Sequence, residues 1–381
     1  MDRLFMRTGN FVNQLEGILR YKAFIPNLLP YEVQMRPGLQ LLLSKADLAL
    51  GRLDGVADSL PKDIVDFFIL MYVRKEATLS SQIEGTQATF VDVLKAEARI
   101  EDSEIHKDVD EVLNYISAMN FGLEGLKDIP LSLRLIKNIH KTLLQGVRGE
   151  RKTPGEFRTS QNWIGGSSLQ TARFVPPPHT EVMSLMANLE KYMHAEIEVP
   201  ILIKIGLIHA QFETIHPFLD GNGRIGRLLI TFYLCQQNIL HKQLLYLSDY
   251  FKENRQEYYE RLNSFRRNDD VEGWIKYFLA GIIDTSDKAV ETARKIRELR
   301  DEHIGKIAGI GRNSSRGMTL LNSLYRNPIV RIKDVEKIVQ LSNPNAIALV
   351  HKFAELGILH EITGNKRYRM FSYKEYISLF A

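Results

Sequence analysis

The sequence predicts a mainly α-helical protein, interrupted by one β-hairpin and closed by a small unit of helices and a second hairpin. Three observations carry this expectation. Apolar residues recur at helical spacing over most of the first 300 positions, as in Ile64, Phe67, Phe68, Met71 and Tyr72. Glycine and proline punctuate residues 146–178, where two short extended pieces replace the helical pattern. Residues 318–381 change texture again, helical at first and then extended on either side of Thr363, Gly364 and Asn365.

With 381 residues the chain can bury a substantial core in two or three domains. A hydrophobic content of 44% and a charged content of 25% are ordinary for a soluble globular protein. No apolar run reaches the roughly 18 residues of a membrane span. Residues 1–17 lack the basic start, apolar centre and cleavage site of a signal peptide, so the cytoplasm is the expected compartment. Cys235 is alone, which excludes an internal disulfide framework and a cysteine-rich zinc site. Of the net charge of +4, residues 316–381 hold a surplus of +5, from ten Lys/Arg against five Asp/Glu. The remainder sums to about −1. A small basic unit can bind nucleic acid, although this surplus is weak support for it.

Taken in order, Pro26, Pro30 and Pro37 break up residues 24–38, which read as an extended segment draped over a core. A short helix is expected over 39–52, with Gly51 and Gly55 near its end. Pro61 suits the first turn of the next helix, with Ser59 as its cap. That helix runs into Ser80-Ser81-Gln82-Ile83-Glu84-Gly85, where Ser80 and Glu84 share a face and Gly85 allows a tight end. By itself this stretch is a solvated polar face. Residues 86–150 read as helices, with His140 structural in the last of them.

Residues 155–177 fit a β-hairpin turning near Gly165-Gly166-Ser167-Ser168, the only convincing β signal before residue 300. It is either a surface excursion or a strand edge that aligns an extended partner segment. Helices follow over 182–193, over the strongly apolar 201–215, and from the next turn to about 237. Further helices contain Tyr258 and Tyr259, then Trp274, Tyr277 and Phe278, then the charged stretch 289–300; residues 305–317 have the composition of a linker. Three helices over 318–325, 332–340 and 344–356 precede extended runs at 357–362 and 366–371, the arrangement of a winged helix-turn-helix.

Chemistry concentrates in His216-Pro217-Phe218-Leu219-Asp220-Gly221-Asn222-Gly223-Arg224-Ile225-Gly226-Arg227. Glycines let backbone amides approach an anion, and a helix starting just after them aims its N–H groups and dipole at it. Arg224 and Arg227 are three apart, so they share a helix face and can grip one polyanion. The stretch reads as a phosphate site with a base and a metal ligand beside it. A P-loop is excluded, because Arg227-Leu228 follow the glycines where lysine and a hydroxyl are required. A calcium loop fails at Arg224 and at Thr231, which stand where oxygen ligands belong.

The same string resembles the signature of the Fic family, H-x-F-x-[DE]-G-N-G-R-x-x-R, at every fixed position, and the likeness extends upstream through His209-Ala210-Gln211-Phe212-Glu213. Ser80, Glu84 and Gly85 resemble the family's inhibitory motif, [ST]-x-x-x-E-[GN], and residues 155–177 sit where the family has its target-docking flap. The resemblance covers most of residues 60–380 and is close to bacterial Fic adenylyltransferases with a C-terminal winged helix. It implies an N-terminal segment over 1–60, a Fic-type helical core over 61–304 with an inhibitory helix near 73–86, and a winged-helix domain over 316–381.

The implied activity is transfer of AMP from ATP to a Ser, Thr or Tyr hydroxyl of a target protein, or of the protein itself, with release of pyrophosphate. His216 matches the general base, and Asp220 the ligand of a phosphate-bridging Mg²⁺. Gly221, Asn222 and Gly223 match the anion turn. With Arg224, Ile225, Gly226 and Arg227 they form the ATP site, Arg227 at the γ-phosphate. Either Tyr258 or Tyr259 lies near the nucleotide, and Tyr258 is preferred. Ile164, Gly165 and Gly166 would pin the target's backbone. Glu84 would pair with Arg227 and misalign ATP, with Ser80 fixing its helix, so the resting state is off.

Alternatives stay open at this point: removal of AMP with Glu84 positioning water, transfer of another phosphate-linked group, or a nucleotide-sensing regulator that binds DNA through residues 316–381. The recognition helix there offers only Asn345, His351 and Lys352 to base edges, so a protein partner is preferred to DNA. The family also implies self-association, which no heptad here indicates. Trp163 and Trp274 read as packing anchors, His209 as a core or supporting residue, and Lys366, Arg367 and Arg369 as a solvated edge.

Overall fold

The protein is described by a computed structural model over residues 6–59, 62–98, 106–240, 242–364 and 368–380. Pro61, Asn365, Lys366 and Arg367 lie outside the described residues, as does the side chain of Ser59.

A hairpin precedes the expected drape, which holds over residues 27–36: these form no helix or strand, and Leu29 and Tyr31 are buried in the core. Strand β1 (Gly9–Gln14) pairs antiparallel with β2 (Tyr21–Pro26), Gly9 opposite Pro26 and Gln14 opposite Tyr21. Pro26 ends the ladder instead of preventing it, as a residue without an N–H does at a strand terminus. The buried Phe24 donates its N–H to the carbonyl of Val175 at 3.0 Å, which seats the hairpin on the flap.

Helix α1 (Pro37–Ser59) runs well past the expected end at residue 52. Gly51 and Gly55 sit inside it with open space beside them, so the glycines lower its propensity without stopping it. Its stripe of Leu39, Ala46, Leu50 and Leu53 is buried. Helices α2 (Lys62–Ile83), α3 (Phe90–Glu97), α4 (Val109–Gly125) and α5 (Leu133–Leu143) follow. Thr89 and Asp92 close a reciprocal capping box at the start of α3.

The expected hairpin at 155–177 shrinks to one antiparallel bridge, Ile164 to Phe174. Thr171 Oγ1 accepts from the amides of Ser167 and Ser168 at 3.2 and 3.1 Å, taking donors that a longer ladder would have used. Then come α6 (His179–His194), the buried α7 (Ile201–Ile215), α8 (Asn222–Gln236), α9 (Ser248–Glu253) and α10 (Arg255–Asn268).

Helix α11 (Val271–Ala308) absorbs the two helices expected around 274–278 and 289–300, together with the first part of the expected linker. No proline interrupts its 38 residues. The C-terminal unit comprises α12 (Ser314–Arg326), β3 (Ile329–Arg331), α13 (Ile332–Val339), α14 (Asn343–Glu355), β4 (His360–Glu361), β5 (Met370–Ser372) and α15 (Lys374–Ser378). Its three strands are antiparallel in the order β3-β5-β4, so the expected two-stranded wing gains a third, short strand.

This unit sits on α2. Tyr325 stacks on Phe67 at 5.9 Å between ring centroids, Phe380 lies 5.6 Å from Tyr72, and Arg74 Nη1 donates to the carbonyl of Arg326 at 3.2 Å. Buried side chains from α1 to α15 form one continuous apolar cluster.

Candidate active site

The site is built where α7 ends and α8 begins. His216 caps α7 in the left-handed region, φ 50°, an uncommon conformation for a residue with a side chain. Its N–H still donates to Phe212 O at 2.9 Å, while Pro217 cannot continue the helix. Asn222 then closes the turn on itself: its Oδ1 accepts from Phe218 N–H and its Nδ2 donates to Phe218 O, both at 2.8 Å. Gly221 stands before α8 with φ 76°, where glycine is unstrained. The first amides of α8, at Asn222, Gly223 and Arg224, therefore point out of the helix with its dipole behind them.

Two residues that carried no signal in the sequence hold this turn. Arg158 donates from Nε to His216 O at 3.0 Å and from Nη2 to Pro177 O at 2.6 Å, tying both roots of the flap to the turn. Arg266 donates to Thr214 Oγ1 and Glu213 O, each at 3.0 Å, and covers the Phe174 ring of the flap at 3.9 Å. Burial, with Arg266 and Arg158 nearby, pushes the His216 imidazole down to about 3, so the ring is neutral and can accept a proton. Its Nδ1 is buried without a hydrogen bond, 3.9 Å from Glu213 Oε2. Burial pushes the Glu213 carboxyl up to about 7. The expected structural role of His140 is visible: it accepts from Gly155 N–H at 2.8 Å, so its other nitrogen carries the proton toward Asp220 O at 3.0 Å.

Arg224 is buried beside Asp220 and Glu111, at 3.5 and 3.7 Å, and its Nε and Nη1 have no hydrogen-bond partner among the described residues. Unused donors on a buried guanidinium suit an incoming anion. Arg227 is engaged from outside α8: Nε donates to Ser80 Oγ, and Nη2 to Ser80 O and Glu84 Oε1, all at 2.8 Å. Glu84 follows directly on α2. Burial opposes its charge, but Arg227 outweighs burial and holds the carboxyl below its ordinary value. The Glu84 carboxylate lies so close to Gly223 that any Cβ there would collide with it.

Asp220 is partly exposed, with Oδ1 accepting from Gly221 N–H at 2.6 Å. Ile225 is buried, and Gly226 gives its carbonyl to His209 Nδ1 at 2.9 Å, so both lie on the core side of α8. Tyr258 is buried too, donating its hydroxyl to His209 Nε2 at 2.9 Å, whereas Tyr259 is partly exposed and feels the charges of Glu84 and Arg227. Ile164, Gly165 and Gly166 stand at the bridge of the flap, both glycines with positive φ. The structure thus brings His216, Asp220, the glycine turn, Arg224, Arg227, Ser80 and Glu84 together, and turns Ile225, Gly226 and Tyr258 inward.

Residues 40–124 match the Fic/DOC family N-terminal region and residues 130–234 match the Fic/DOC family itself. A probable protein adenylyltransferase of Aquifex aeolicus is 29% identical over 181 residues, 45% of this chain and 51% of that protein. The protein adenylyltransferase Fic of Drosophila yakuba is 28% identical over 188 residues, 48% of this chain and 33% of that protein. This chain therefore matches about half the length of the first relative and a third of the second. In fold it is similar to a Fic family protein from Desulfovibrio desulfuricans, with a TM-score of 0.59 at 20% identity over 90% of this chain and 97% of that one. A Fic domain containing signaling protein from Bacteroides thetaiotaomicron follows at a TM-score of 0.52 and 18% identity, over 68% of this chain and 97% of that one.

Proposed function

This chain belongs to the Fic/DOC family, and on that footing we propose that it transfers AMP from ATP to a Ser, Thr or Tyr hydroxyl of another protein or of itself, and that Glu84 restrains it. One observation carries the reading: the Glu84 carboxylate rests at the head of α8, 2.8 Å from Arg227 and against Gly223. An internal anion occupies the place where helix dipole, amides and arginine would hold a phosphate.

In the forward reaction His216, kept neutral, removes the proton as the target oxygen bonds to the α-phosphorus, and the bond to pyrophosphate breaks. The amides opening α8 and the unpartnered donors of Arg224 stabilise the charge that develops on the phosphate. Arg227 would orient the γ-phosphate once Glu84 leaves it. Tyr259, not the buried Tyr258, is the tyrosine available to the nucleotide. Ile164 to Gly166 would receive the target's extended backbone.

A hard divalent cation fits Asp220: the side chain is 31% exposed, and a lone carboxylate suits an ion that takes its other ligands from phosphate and water. No group of three or more His, Cys, Asp or Glu side chains among the described residues forms a metal cage of its own. Mg²⁺ bound there would neutralise phosphate charge.

We read residues 314–380 as a winged-helix-type unit that recruits protein rather than DNA. The exposed side of α14 offers little for base readout, since Lys352 pairs with Glu355 at 2.9 Å. No described helix is long and apolar enough to cross a membrane. The cytoplasm is the proposed site of action.

The test uses purified protein, Mg²⁺ and ATP labelled at the α-phosphate, with a cell lysate as target source. Glu84→Gly should raise labelling about a hundredfold, the scale of a misplacement of about 1 Å relieved, and His216→Ala in that background should abolish it. Equal labelling by wild type and Glu84→Gly removes the restraint. Label entering only from the γ-phosphate would replace adenylyl transfer with phosphoryl transfer.

A further inference from the structure

We propose that the groove between the β1–β2 hairpin and the returning arm of the flap docks an acidic segment of the target protein next to the hydroxyl that is modified. The proposal rests on the adenylyl-transfer reading above and concerns which targets that site accepts. The groove encloses about 440 Å³, with Arg20, Lys22, Arg173 and Arg267 around it and Phe11 and Phe174 among its apolar lining. No carboxylate lines it.

Charge is what singles this groove out. Residues 1–315 sum to about −1, so four cations without an acid are a local concentration and not a share of a general surplus. Among the described residues no ion pair engages Arg20, Lys22 or Arg173, and Arg267 donates only to the carbonyl of Arg173, at 2.9 Å. Exposed cations without an ion pair occur elsewhere among the described residues, Lys45 and Arg134 for example; here four of them line one concavity with no acid in its lining. Cations left without acids and facing one concavity are complementary to a negatively charged occupant.

The groove is also connected to the chemistry. The stem of Arg173 packs where a Cβ on Gly165 would lie, at 3.1 Å, so its charge is carried across the bridge that would pin the target. Phe174 rests on Arg266, which holds Glu213 and Thr214 just before His216. A segment seated in the groove is thus fixed relative to His216 through rigid, buried contacts. Phe24 N–H to Val175 O closes the other wall, so the N-terminal hairpin belongs to the target-binding surface.

The occupant is polypeptide rather than nucleic acid. The groove adjoins the flap's backbone edge, which pairs with extended peptide, and its exposed aromatic side chain, Phe11, is 37% accessible. Exposed charges act mainly on association and are screened by salt. The effect should therefore fall on KM and weaken between about 50 and 300 mM salt.

The experiment measures binding of a fluorescent peptide of alternating Glu and Phe to the full-length Glu84→Gly protein by anisotropy. The double variant Lys22→Glu/Arg173→Glu and the control Lys45→Glu on α1 are run in parallel. The expected result is salt-sensitive binding that weakens at least tenfold in the double variant and is unchanged in the control. No binding of the peptide, or equal weakening in both, overturns the proposal. So does a duplex oligonucleotide or a phosphatidylserine vesicle that binds more tightly than the peptide and loses as much in the double variant. Labelling by the same Glu84→Gly preparation with α-labelled ATP, of itself or of proteins in an added cell lysate, keeps the two readings apart. Label without peptide binding sinks the groove alone, and absence of any label sinks adenylyl transfer.

Discussion

The chemistry of this site depends on which charges the interior tolerates. His216 is neutral because burial and two nearby guanidinium groups all disfavour a second positive charge. Glu213, one helical turn earlier, meets the opposite pressure: burial pushes its carboxyl up to about 7 in spite of Arg227. A carboxyl whose folded value exceeds its unfolded one contributes stability that is whole below about pH 4.5 and is lost as pH rises through about 7. Glu213→Gln keeps the shape and removes the ionisation. The variant should gain about 1–3 kcal/mol over wild type at pH 8 and nothing at pH 4.5, read from urea unfolding at both values. An equal difference at the two pH values would mean that Glu213 is ionised in the folded protein throughout.

Among the elements, the legible ones were those whose information is contiguous. The turn from α7 to α8 places base, carboxylate, glycines and arginines within twelve positions, so residue types and spacing alone described an anion site. Glu84 is a different case, 143 positions from Arg227, and only its likeness to an inhibitory motif connected the two. Arg158 and Arg266 stayed hidden because their work is to bond carbonyls, which no side-chain pattern advertises. The β1–β2 hairpin was illegible for a related reason: its buried residues Ala23 and Phe24 are adjacent rather than alternating, and its seat is a backbone bond to Val175. The sequence divides helix α11 in two because its surface turns from apolar to charged, although nothing breaks its backbone.

Packing between elements also carries a prediction. Gly122 on α4 faces Phe232 on α8 so closely that a Cβ would collide with the ring. Gly122→Ala should cost about 1–3 kcal/mol through overpacking. Thermal unfolding should show it as a clear fall in Tm. An unchanged Tm would mean that the ring moves aside without cost.

At the scale of the whole molecule, the C-terminal unit is joined through α2 to the contact between Glu84 and Arg227. Helix α11, about 57 Å long at 1.5 Å per residue, reaches from the middle of α7, where Trp274 Nε1 donates to Gly206 O at 2.8 Å, to the C-terminal unit, where His303 meets the Tyr373 hydroxyl at 2.7 Å. That unit is seated on the same α2 that delivers Ser80 and Glu84 to Arg227. Its last described residue, Phe380, is buried among Phe68, Tyr72 and Phe90, with ring centroids 6.4, 5.6 and 6.3 Å away. A partner that shifted the C-terminal unit would therefore pull on α2 at the end opposite Glu84. Phe380→Ala imitates such a shift by leaving a cavity under the contact. On the proposed restraint it should raise labelling by the otherwise wild-type protein several-fold. In the Glu84→Gly background it should add nothing, because the element it loosens has already lost its effect. Circular dichroism confirms that the helices persist. Equal loss of labelling in both backgrounds would make the C-terminal unit a support for the fold with no hold on Glu84.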